Sequence, residues 1–190
     1  MAARVLITYA TKHGATKGIA QAVGSMLHSC GHRVRLLPAP VVQDARDVDV
    51  VVIGSAIYHD QWLWDARRLV KRLRGDLRGG PAVWLFSSGP LGGTPERDAA
   101  LVESTGLDRD LPAYLDGSLR GLDVRGHAVF AGRLEPRVAA ELDTWVPHGD
   151  WRDMAQVRDW ARIVGGAPAV PRLSEYPAPE RGWGLILGRV

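Results

Sequence analysis

Residues 9–20 read YATKHGATKGIA and carry more structural information than any other segment of the chain. An apolar run at 5–7 precedes them and a segment with helical spacing of apolar residues follows, which predicts a strand, a turn and a helix. Free backbone N–H groups and the positive end of the helix dipole make such a turn favourable for an anion. Thr11 and Thr16 add hydroxyl donors, and Gly14 allows the backbone to approach a phosphate closely.

The spacing within this turn excludes two common patterns of nucleotide binding. A P-loop needs the string Gly-x4-Gly-Lys-Ser/Thr, which occurs nowhere in the chain. The dinucleotide fingerprint Gly-x-Gly-x-x-Gly is also missing from this first turn. The residues alone leave two interpretations, a different phosphate loop or an ordinary strand-to-helix turn with a threonine cap.

Apolar runs and helical patterns alternate along the chain, which is typical of a parallel sheet built from βαβ units. Strands are predicted over residues 5–9, 33–37, 48–53, 82–86 and 128–131. Helices are predicted over 15–29, 63–74, 95–103 and 112–120, and from Asp150, which is interpreted as an N-cap supported by Asp153. The predicted α/β fold is a doubly wound parallel sheet of five strands with helices on both faces.

The first turn resembles the phosphate loop of the flavodoxin family. In that family an aromatic residue is followed by threonine, a small residue, a second threonine and alanine, and the matching places here are filled by Tyr9, Thr11, Gly14, Thr16, Ala20 and Val23. Thr8 departs from the pattern, because the family prefers an apolar residue there. The resemblance implies a flavodoxin-like fold with the strand order 2-1-3-4-5, which places a ligand at the carboxyl ends of strands one and three. It also implies a loop that wraps the phosphate of FMN.

Loops of small residues also follow the third and fourth predicted strands, with the sequences GSAIYH at 54–59 and SSGPLGG at 87–93. Backbone groups of such loops can bind the pyrimidine edge of a flavin while an aromatic side chain covers one face. Together with the segments 128–134 and 149–153, the loops resemble the flavodoxin-domain group that includes menaquinone-dependent protoporphyrinogen oxidase. This resemblance spans residues 4–164 and implies bound FMN and a redox function.

Transferred to this sequence, the resemblance implies two groups of FMN contacts. The phosphate contacts are Thr11, Lys12, His13, Gly14, Ala15 and Thr16. The ring contacts are Ser55, Ala56, Ile57, Tyr58, Ser87, Ser88, Gly89, Pro90, Leu91 and Gly92. Whether the side chains of Lys12 and His13 reach the phosphate is left open, because such loops can bind it with hydroxyls and backbone alone.

Aromatic and histidine residues near these loops are further candidates. Tyr58 is the favoured neighbour of the ring because it lies within the loop, whereas Trp62 and Trp64 are interpreted as core or helix-start residues. His59 and His148 are candidate proton donors, but the plainer interpretation of each is an ordinary loop histidine. No catalytic residue is assigned, since flavin N5 would be the reactive atom. No cluster has metal-ligand spacing and no serine lies in a Gly-x-Ser-x-Gly elbow, so neither a metal site nor a nucleophile is predicted.

The composition is typical of one globular domain. The 190 residues are 46% hydrophobic and 24% charged, with a domain predicted at 1–165 and an irregular proline-rich tail at 166–190. No run approaches the roughly 20 apolar residues of a membrane span, and no basic-then-apolar leader precedes Val5. Cys30 is the single cysteine, which fits a reducing, cytoplasmic location. The net charge of +3 is too small to indicate nucleic acid as a partner.

Six cations crowd the second predicted helix and its exit: Arg67, Arg68, Lys71, Arg72, Arg74 and Arg78. Apolar residues occupy the complementary face, so a solvated helix surface is the plainer interpretation. The alternative is an anionic partner, such as the carboxylates of a porphyrinogen, or a membrane surface. The sequence leaves open a redox partner protein, peripheral membrane contact and an oligomer.

Three functions are compatible with these residues. The first is an FMN-dependent oxidoreductase that passes electrons or hydride to or from a quinone, a porphyrinogen or another small substrate. The second is a flavodoxin-type electron carrier, and the third is a flavodoxin-fold binding protein without FMN. Carrier flavodoxins are typically acidic and shield the ring between two aromatic residues, whereas this chain is basic and has no aromatic residue from 87 to 95. The oxidoreductase is therefore favoured.

Overall fold

Five parallel strands form the central sheet of the computed structural model, which describes residues 2–59, 61–89, 115–140 and 148–166. The strands are β1 (Arg4–Ala10), β2 (Arg33–Pro38), β3 (Val50–Tyr58), β4 (Gln61–Trp62), β5 (Ala82–Ser88), β6 (Val124–Phe130), β7 (Arg133–Leu134) and β8 (Gly149–Asp150). The helices are α1 (Ala15–Ser29), α2 (Trp64–Leu77), α3 (Asp116–Leu119), α4 (Pro136–Ala140) and α5 (Met154–Gly165), with a 3-10 turn at Ala39–Val41.

The strand order of the sheet is β2-β1-β3-β5-β6, and all four pairings are parallel. The predicted α/β fold and the predicted order 2-1-3-4-5 are confirmed, since the fourth and fifth predicted strands are β5 and β6. The additional strand β4 folds back antiparallel on the end of β3, where Trp62 pairs with Ile57 and Gln61 with Tyr58. The carboxyl ends of β1 and β3 therefore lie side by side at one edge of the sheet.

Alternate residues of each strand face opposite sides of the sheet and build two apolar layers. On one side Leu6, Val51 and Leu85 pack with α2, and on the other Ile7 and Val52 pack with α1 and α5. The second layer also contains four aromatic rings whose contacting centroids are 5.7–6.1 Å apart, those of Trp84, Phe86, Phe130 and Trp160. Because burying each large apolar side chain contributes about 1.5–3 kcal/mol, these layers hold the sheet edge rigidly.

The strand β3 is longer than the sequence predicts. Residues 54–58, expected as a loop after Ile53, continue the strand to Tyr58, and β5 likewise runs on to Ser88. Gly54 does not interrupt the strand, because its missing side chain leaves room for the ring of Phe86 on the neighbouring β5. The two expected ring-binding segments therefore begin as buried strand ends.

The interpretation of Asp150 as the N-cap of the last helix is wrong. The cap is Asp153, whose Oδ1 accepts hydrogen bonds from the N–H groups of Ala155 (2.9 Å) and Gln156 (3.0 Å). Asp150 instead binds the guanidinium of Arg152, which holds the pKa of that carboxyl below its usual value. Both acidic residues fit the sequence pattern of a cap. Asp150, however, lies in β8 and pairs with Arg152, whereas Asp153 directly precedes α5.

Replacing Asp153 with alanine is expected to lower the free energy of unfolding by about 1 kcal/mol, because two N–H groups at the start of α5 lose their acceptor. Asp159→Ala on the same helix is the matched control, since it removes an equal charge whose exposed ion pair with Arg162 contributes little. Urea unfolding measures both variants. Equal losses in the two would contradict the capping role of Asp153.

Some predicted segments lie outside the described residues. These are the helix at 95–103, residues 112–114 of the next predicted helix, and the tail beyond Gly166. Residues 116–119 of the second of these segments form α3. Within the part of the chain that the structure describes, no helix is long and apolar enough to cross a membrane.

Candidate functional site

The turn between β1 and α1 is shaped by a threonine and a glycine. The hydroxyl of Thr11 accepts a hydrogen bond from the Gly14 N–H (3.0 Å), which folds the turn back on itself. Gly14 precedes α1 in the left-handed conformation, with φ of 84°, which glycine adopts at little cost. The first N–H groups of α1 have no acceptor within the helix. They form a set of donors at the positive end of the helix dipole, beside the end of β1.

Thr16 in the first turn of α1 is fully buried, yet its hydroxyl has no hydrogen-bond partner among the described residues. A buried polar group left unpaired in this way costs about 1–3 kcal/mol. A phosphate bound at the turn would offer an acceptor oxygen beside the free N–H groups of the same helix end. The unpaired hydroxyl and the free N–H groups beside it are compatible with an anion held at this turn.

The side chains of Lys12 and His13 both lie beside Tyr58 at the end of β3. The Lys12 ammonium is 5.0 Å from the centroid of the Tyr58 ring, which is a cation–π contact. The centroids of the His13 and Tyr58 rings are 6.3 Å apart. Tyr58 is half-buried, and this burial raises the pKa of its hydroxyl. The positive charge of the turn is thus directed toward the end of β3.

Ser55, Ala56 and Ile57 continue β3 toward the same edge. The Ser55 hydroxyl is buried, donates to the carbonyl of Ala56 (2.8 Å) and accepts from the N–H of Leu63 (3.0 Å). The second bond ties the start of α2 to the end of β3. Because the whole residue is buried, Ser55 packs beneath the edge of the sheet and supports the residues that follow it in β3.

A buried hydrogen-bond network crosses the ends of neighbouring strands. The indole N–H of Trp62 donates to the hydroxyl of Ser87 (2.8 Å), and that oxygen lies 2.8 Å from Nε2 of His127. Burial lowers the pKa of His127 from 6.5 to about 3, so the imidazole is neutral. The network fixes the end of β5 against β4 and β6. Its members are 25 and 40 positions apart, so no sequence pattern reveals it.

The neutral state of His127 predicts a loss of stability in mild acid. The unfolded chain binds a proton at this imidazole below about pH 6.5, whereas the folded protein binds it only near pH 3, so the free energy of unfolding falls as the pH decreases through this interval. Between about pH 7 and pH 5 we expect this group to cost about 2 kcal/mol, measured by urea unfolding. His127→Gln keeps a hydrogen-bonding side chain that does not titrate. The same loss in wild type and this variant would contradict the assigned protonation state.

The chain leaves β5 through a buried serine and a glycine. Ser88 is buried, and Gly89 follows with φ of 116°. The N–H of Gly89 donates to the carbonyl of Phe130 (2.9 Å), which ties this exit to the end of β6. The remaining expected ring contacts, Pro90, Leu91 and Gly92, lie outside the described residues.

The other aromatic and histidine candidates are dispersed. Trp62 is 1% exposed and belongs to the core beneath α2, whereas Trp64 at the start of α2 is 60% exposed. His59 occupies an exposed turn after β3 with φ of 48°, and His148 is exposed ahead of β8. Neither histidine has a hydrogen bond or ion pair within the described ranges. The structure therefore gives no support to either as a positioned proton donor.

Arg152 is a residue beside the site that sequence reasoning missed. Both carboxylate oxygens of Asp150 bind its guanidinium, at 2.8 and 2.6 Å, and these hydrogen bonds raise the pKa of Arg152. Nη1 reaches the carbonyl of Ala15 in the first turn of α1 (3.4 Å). Gly18 makes room for it, since a Cβ there would overlap the guanidinium. The ion pair of Asp150 and Arg152 is thus held against the first turn of α1.

The turn at the end of β1, with two buried strand ends beside it, occupies the place where proteins of the doubly wound α/β class bind nucleotides. The family model of the flavodoxin domain matches residues 6–146, so the chain belongs to the flavodoxin-domain family. No curated protein matches the sequence.

Solved structures of flavodoxins share the fold. An archaeal flavodoxin is 14% identical with a TM-score of 0.54, and the alignment covers 85% of this chain and 96% of that protein. Flavodoxin 1 of Bacillus cereus is 12% identical with a TM-score of 0.55, covering 84% and 95%. The rubredoxin oxygen:oxidoreductase of Desulfovibrio gigas is 16% identical with a TM-score of 0.53, and the alignment covers 86% of this chain but only 35% of that protein.

FMN is the cofactor that membership of the flavodoxin family implies, and the residues of the turn fit it. The unpaired Thr16 hydroxyl and the free N–H groups of α1 together suit a phosphate. The domain is therefore of the FMN type that serves electron carriers and oxidoreductases.

Proposed function

We propose that this protein is an FMN-dependent oxidoreductase that passes electrons or hydride to or from a small acceptor, such as a quinone or a porphyrinogen. The observation that carries the proposal is the position of Lys12, whose ammonium lies on Tyr58 at the end of the sheet where the ring is expected. A cation there favours the reduced flavin, because that form carries more negative charge than the oxidised one. Carrier flavodoxins are typically acidic, which has the opposite effect.

In this proposal the protein binds and orients the cofactor. Thr11, Thr16 and the N–H groups of the turn hold the phosphate. The backbones of 56–58 and 88–89 line the ring, with Tyr58 against one face, and the buried Ser55 and Ser87 support them from below. FMN supplies the redox chemistry, since its ring accepts and donates electrons. The network around Ser87 keeps the β5 end in place for this contact.

The lack of a second aromatic residue to cover the expected flavin ring supports an enzyme over a carrier. A carrier flavodoxin covers the ring with two aromatic residues, but the segment 87–95 contains none. Trp62 is buried in the core, and the exposed ring of Trp64 lies against Arg68 on the outer face of α2. One face of the flavin would then be free for a flat substrate such as a quinone.

An electron carrier is the alternative function. It is favoured by the similarity in fold to whole flavodoxins, of which the alignments cover 95% and 96%. The two functions differ in what reoxidises the reduced protein. A carrier exchanges electrons with proteins on both sides of the reaction, whereas the proposed enzyme exchanges them with a small molecule on one side, in a saturable manner.

The soluble naphthoquinone menadione tests the proposed function. The FMN-loaded protein is reduced with one equivalent of dithionite in the absence of oxygen and mixed with increasing menadione, and the return of flavin absorbance near about 450 nm is followed. Two electrons leave each flavin and reduce one quinone to its hydroquinone. A rate that saturates with menadione supports the enzyme, and a slow rate that rises linearly with concentration would contradict it.

Lys12→Gln is expected to shift the equilibrium between oxidised and reduced FMN about threefold toward the oxidised form, because an exposed charge near the ring acts through water. The affinity for oxidised FMN should change little. Lys17→Gln, also exposed, is the control, because it removes the same charge from the α1 side of the turn. Equilibration against a redox dye measures both. Identical shifts of the equilibrium between oxidised and reduced FMN in the two variants would show that Lys12 affects the flavin no more than another exposed lysine of the turn.

We further propose that residues 1–165 form the FMN domain, with 166–190 as a separate tail, and that the protein acts in the cytoplasm. The end of α5 at Gly165 supports this boundary. The lone Cys30 is exposed and free, which suits a reducing compartment.

A further inference from the structure

The cations of α2 divide into two groups. Three of them are engaged with neighbouring parts of the protein. Arg72 donates to the carbonyls of Ala39 and Val42, Arg74 donates to those of Gly117, Ser118 and Arg120, and Arg67 donates to the side chain of Gln61. The interpretation of the whole cluster as a solvated surface is thus too simple, since half of it fastens α2 to its surroundings.

The second group, Arg68 and Lys71, forms a continuous stripe with Trp64 on the exposed face of α2. Trp64, Arg68 and Lys71 follow one another at helical spacing, and all three are exposed. The guanidinium of Arg68 lies 4.8 Å from the centroid of the Trp64 ring. Lys71 has no partner within the described residues. Asp65 lies three residues before Arg68, about 60° around the helix, so one acidic residue borders this basic stripe on one side.

The basic stripe begins at the functional end of the sheet. Leu63, just before Trp64, donates its N–H to Ser55 at the end of β3, and Tyr58 pairs with Gln61 in the same hairpin. Trp64 therefore lies on the rim of the edge where the phosphate turn and Tyr58 meet. The Trp64 ring is 60% exposed at this rim, so its apolar surface is available to a partner.

We propose that the basic stripe is the docking surface for an electron-transfer protein with an acidic face. This inference rests on the proposed redox function and names the kind of partner that exchanges electrons with the flavin. Tryptophan and arginine are the residue types that most often dominate binding energy at interfaces. Exposed cations attract an acidic partner from solution, and transient redox complexes use small interfaces of this kind.

A protein partner suits this surface better than a lipid bilayer. Each basic residue near an anionic membrane contributes about 1 kcal/mol, so two cations and one tryptophan would hold the protein only weakly. An acidic protein face would contact both cations and enclose the Trp64 ring. Its redox centre would then lie close to the rim of the FMN site.

Two forms of cytochrome c serve as probes. Native cytochrome c is basic, and succinylated cytochrome c carries the same haem on an acidic surface. Binding of each oxidised form to the apo protein is measured by calorimetry at low and high salt. Electron transfer is then followed from the reduced FMN-loaded protein, where each encounter moves one electron from flavin to ferric haem and two haems are reduced per flavin.

Charge reversal at the stripe is compared with an equal reversal elsewhere. The variant Arg68→Glu with Lys71→Glu changes the net charge as much as Arg33→Glu with Arg35→Glu, which alters exposed positions on the edge strand β2. We expect the first pair to weaken binding of succinylated cytochrome c about tenfold or more and the second about twofold, with both effects reduced by salt. Trp64→Ala should weaken binding as well, without changing the dependence on salt.

Several results would overturn the proposal. These are equal binding of the two cytochromes, equal effects of the two double variants, or stripe-dependent binding only to vesicles containing phosphatidylglycerol. Binding to the apo protein needs no flavin, so it tests the stripe even where FMN fails to bind. Loss of the proposed function and loss of this inference are therefore distinguishable.

Discussion

Gly54→Ala is expected to lower the free energy of unfolding by about 3 kcal/mol. The added Cβ would overlap the ring of Phe86, which is fully buried and packed against Phe130 and Trp160. The ring cannot move aside into solvent, so either the strands separate or the aromatic cluster rearranges. Since Gly54 also begins the segment expected to line the flavin, FMN affinity should fall with stability.

The control for this variant is Gly75→Ala in the exposed face of α2. A Cβ there meets nothing, and alanine is the better helix former, so stability should rise by about 0.5–1 kcal/mol. Chemical unfolding compares the two variants with wild type. The double variant Gly54→Ala with Phe86→Leu should recover part of the loss. If Gly54→Ala alone has the same free energy of unfolding as wild type, the close packing of Gly54 in β3 against Phe86 in β5 is contradicted.

Thr16→Val is expected to change stability and FMN affinity in opposite directions. The apo protein should become about 1 kcal/mol more stable, because the variant removes a buried hydroxyl that has no partner in the described structure. Binding of FMN should weaken about 10- to 100-fold, because a hydrogen bond to a charged phosphate is lost. Unfolding of the apo protein and calorimetric titration with FMN measure the two effects.

Thr8→Val separates the two effects of Thr16→Val. Thr8 is equally buried, and its hydroxyl is likewise unpaired among the described residues, but it lies within β1 rather than in the turn. This control should gain similar stability and bind FMN as wild type does. A normal FMN affinity in Thr16→Val would contradict the assignment of its hydroxyl to the phosphate.

The regular elements follow from local patterns, and the sequence predicts them well. The helix 15–29 is correct at both ends, because apolar spacing and the glycines at 14 and 31 mark it. The strand ending at Ile53 is too short in the prediction, because Gly54 resembles a strand end in sequence. Only the position of Phe86 on the adjacent strand explains why the strand continues. Boundaries that depend on a neighbour in space are thus beyond reach of local reasoning.

The candidate site likewise has a part that the sequence predicts and a part that depends on contacts between distant segments. The turn at 11–16 is visible in sequence because its residues are contiguous and their chemistry is local. The positions of Lys12 against Tyr58 and of Arg152 against α1 join distant segments, and no spacing encodes them. The chemistry of a helix end is therefore predictable, whereas the direction in which flexible charged side chains extend is not.

Calorimetric titration of the apo protein with FMN and with riboflavin tests the central claim most directly. The two ligands share the flavin ring and differ in the phosphate, which the turn at 11–16 and the first turn of α1 are expected to hold. FMN should bind about 100-fold more tightly than riboflavin, because only FMN has a charged phosphate that the N–H groups at the start of α1 can bind. Equal affinity for the two ligands, or binding of neither, would contradict the assignment of this turn to the phosphate of FMN.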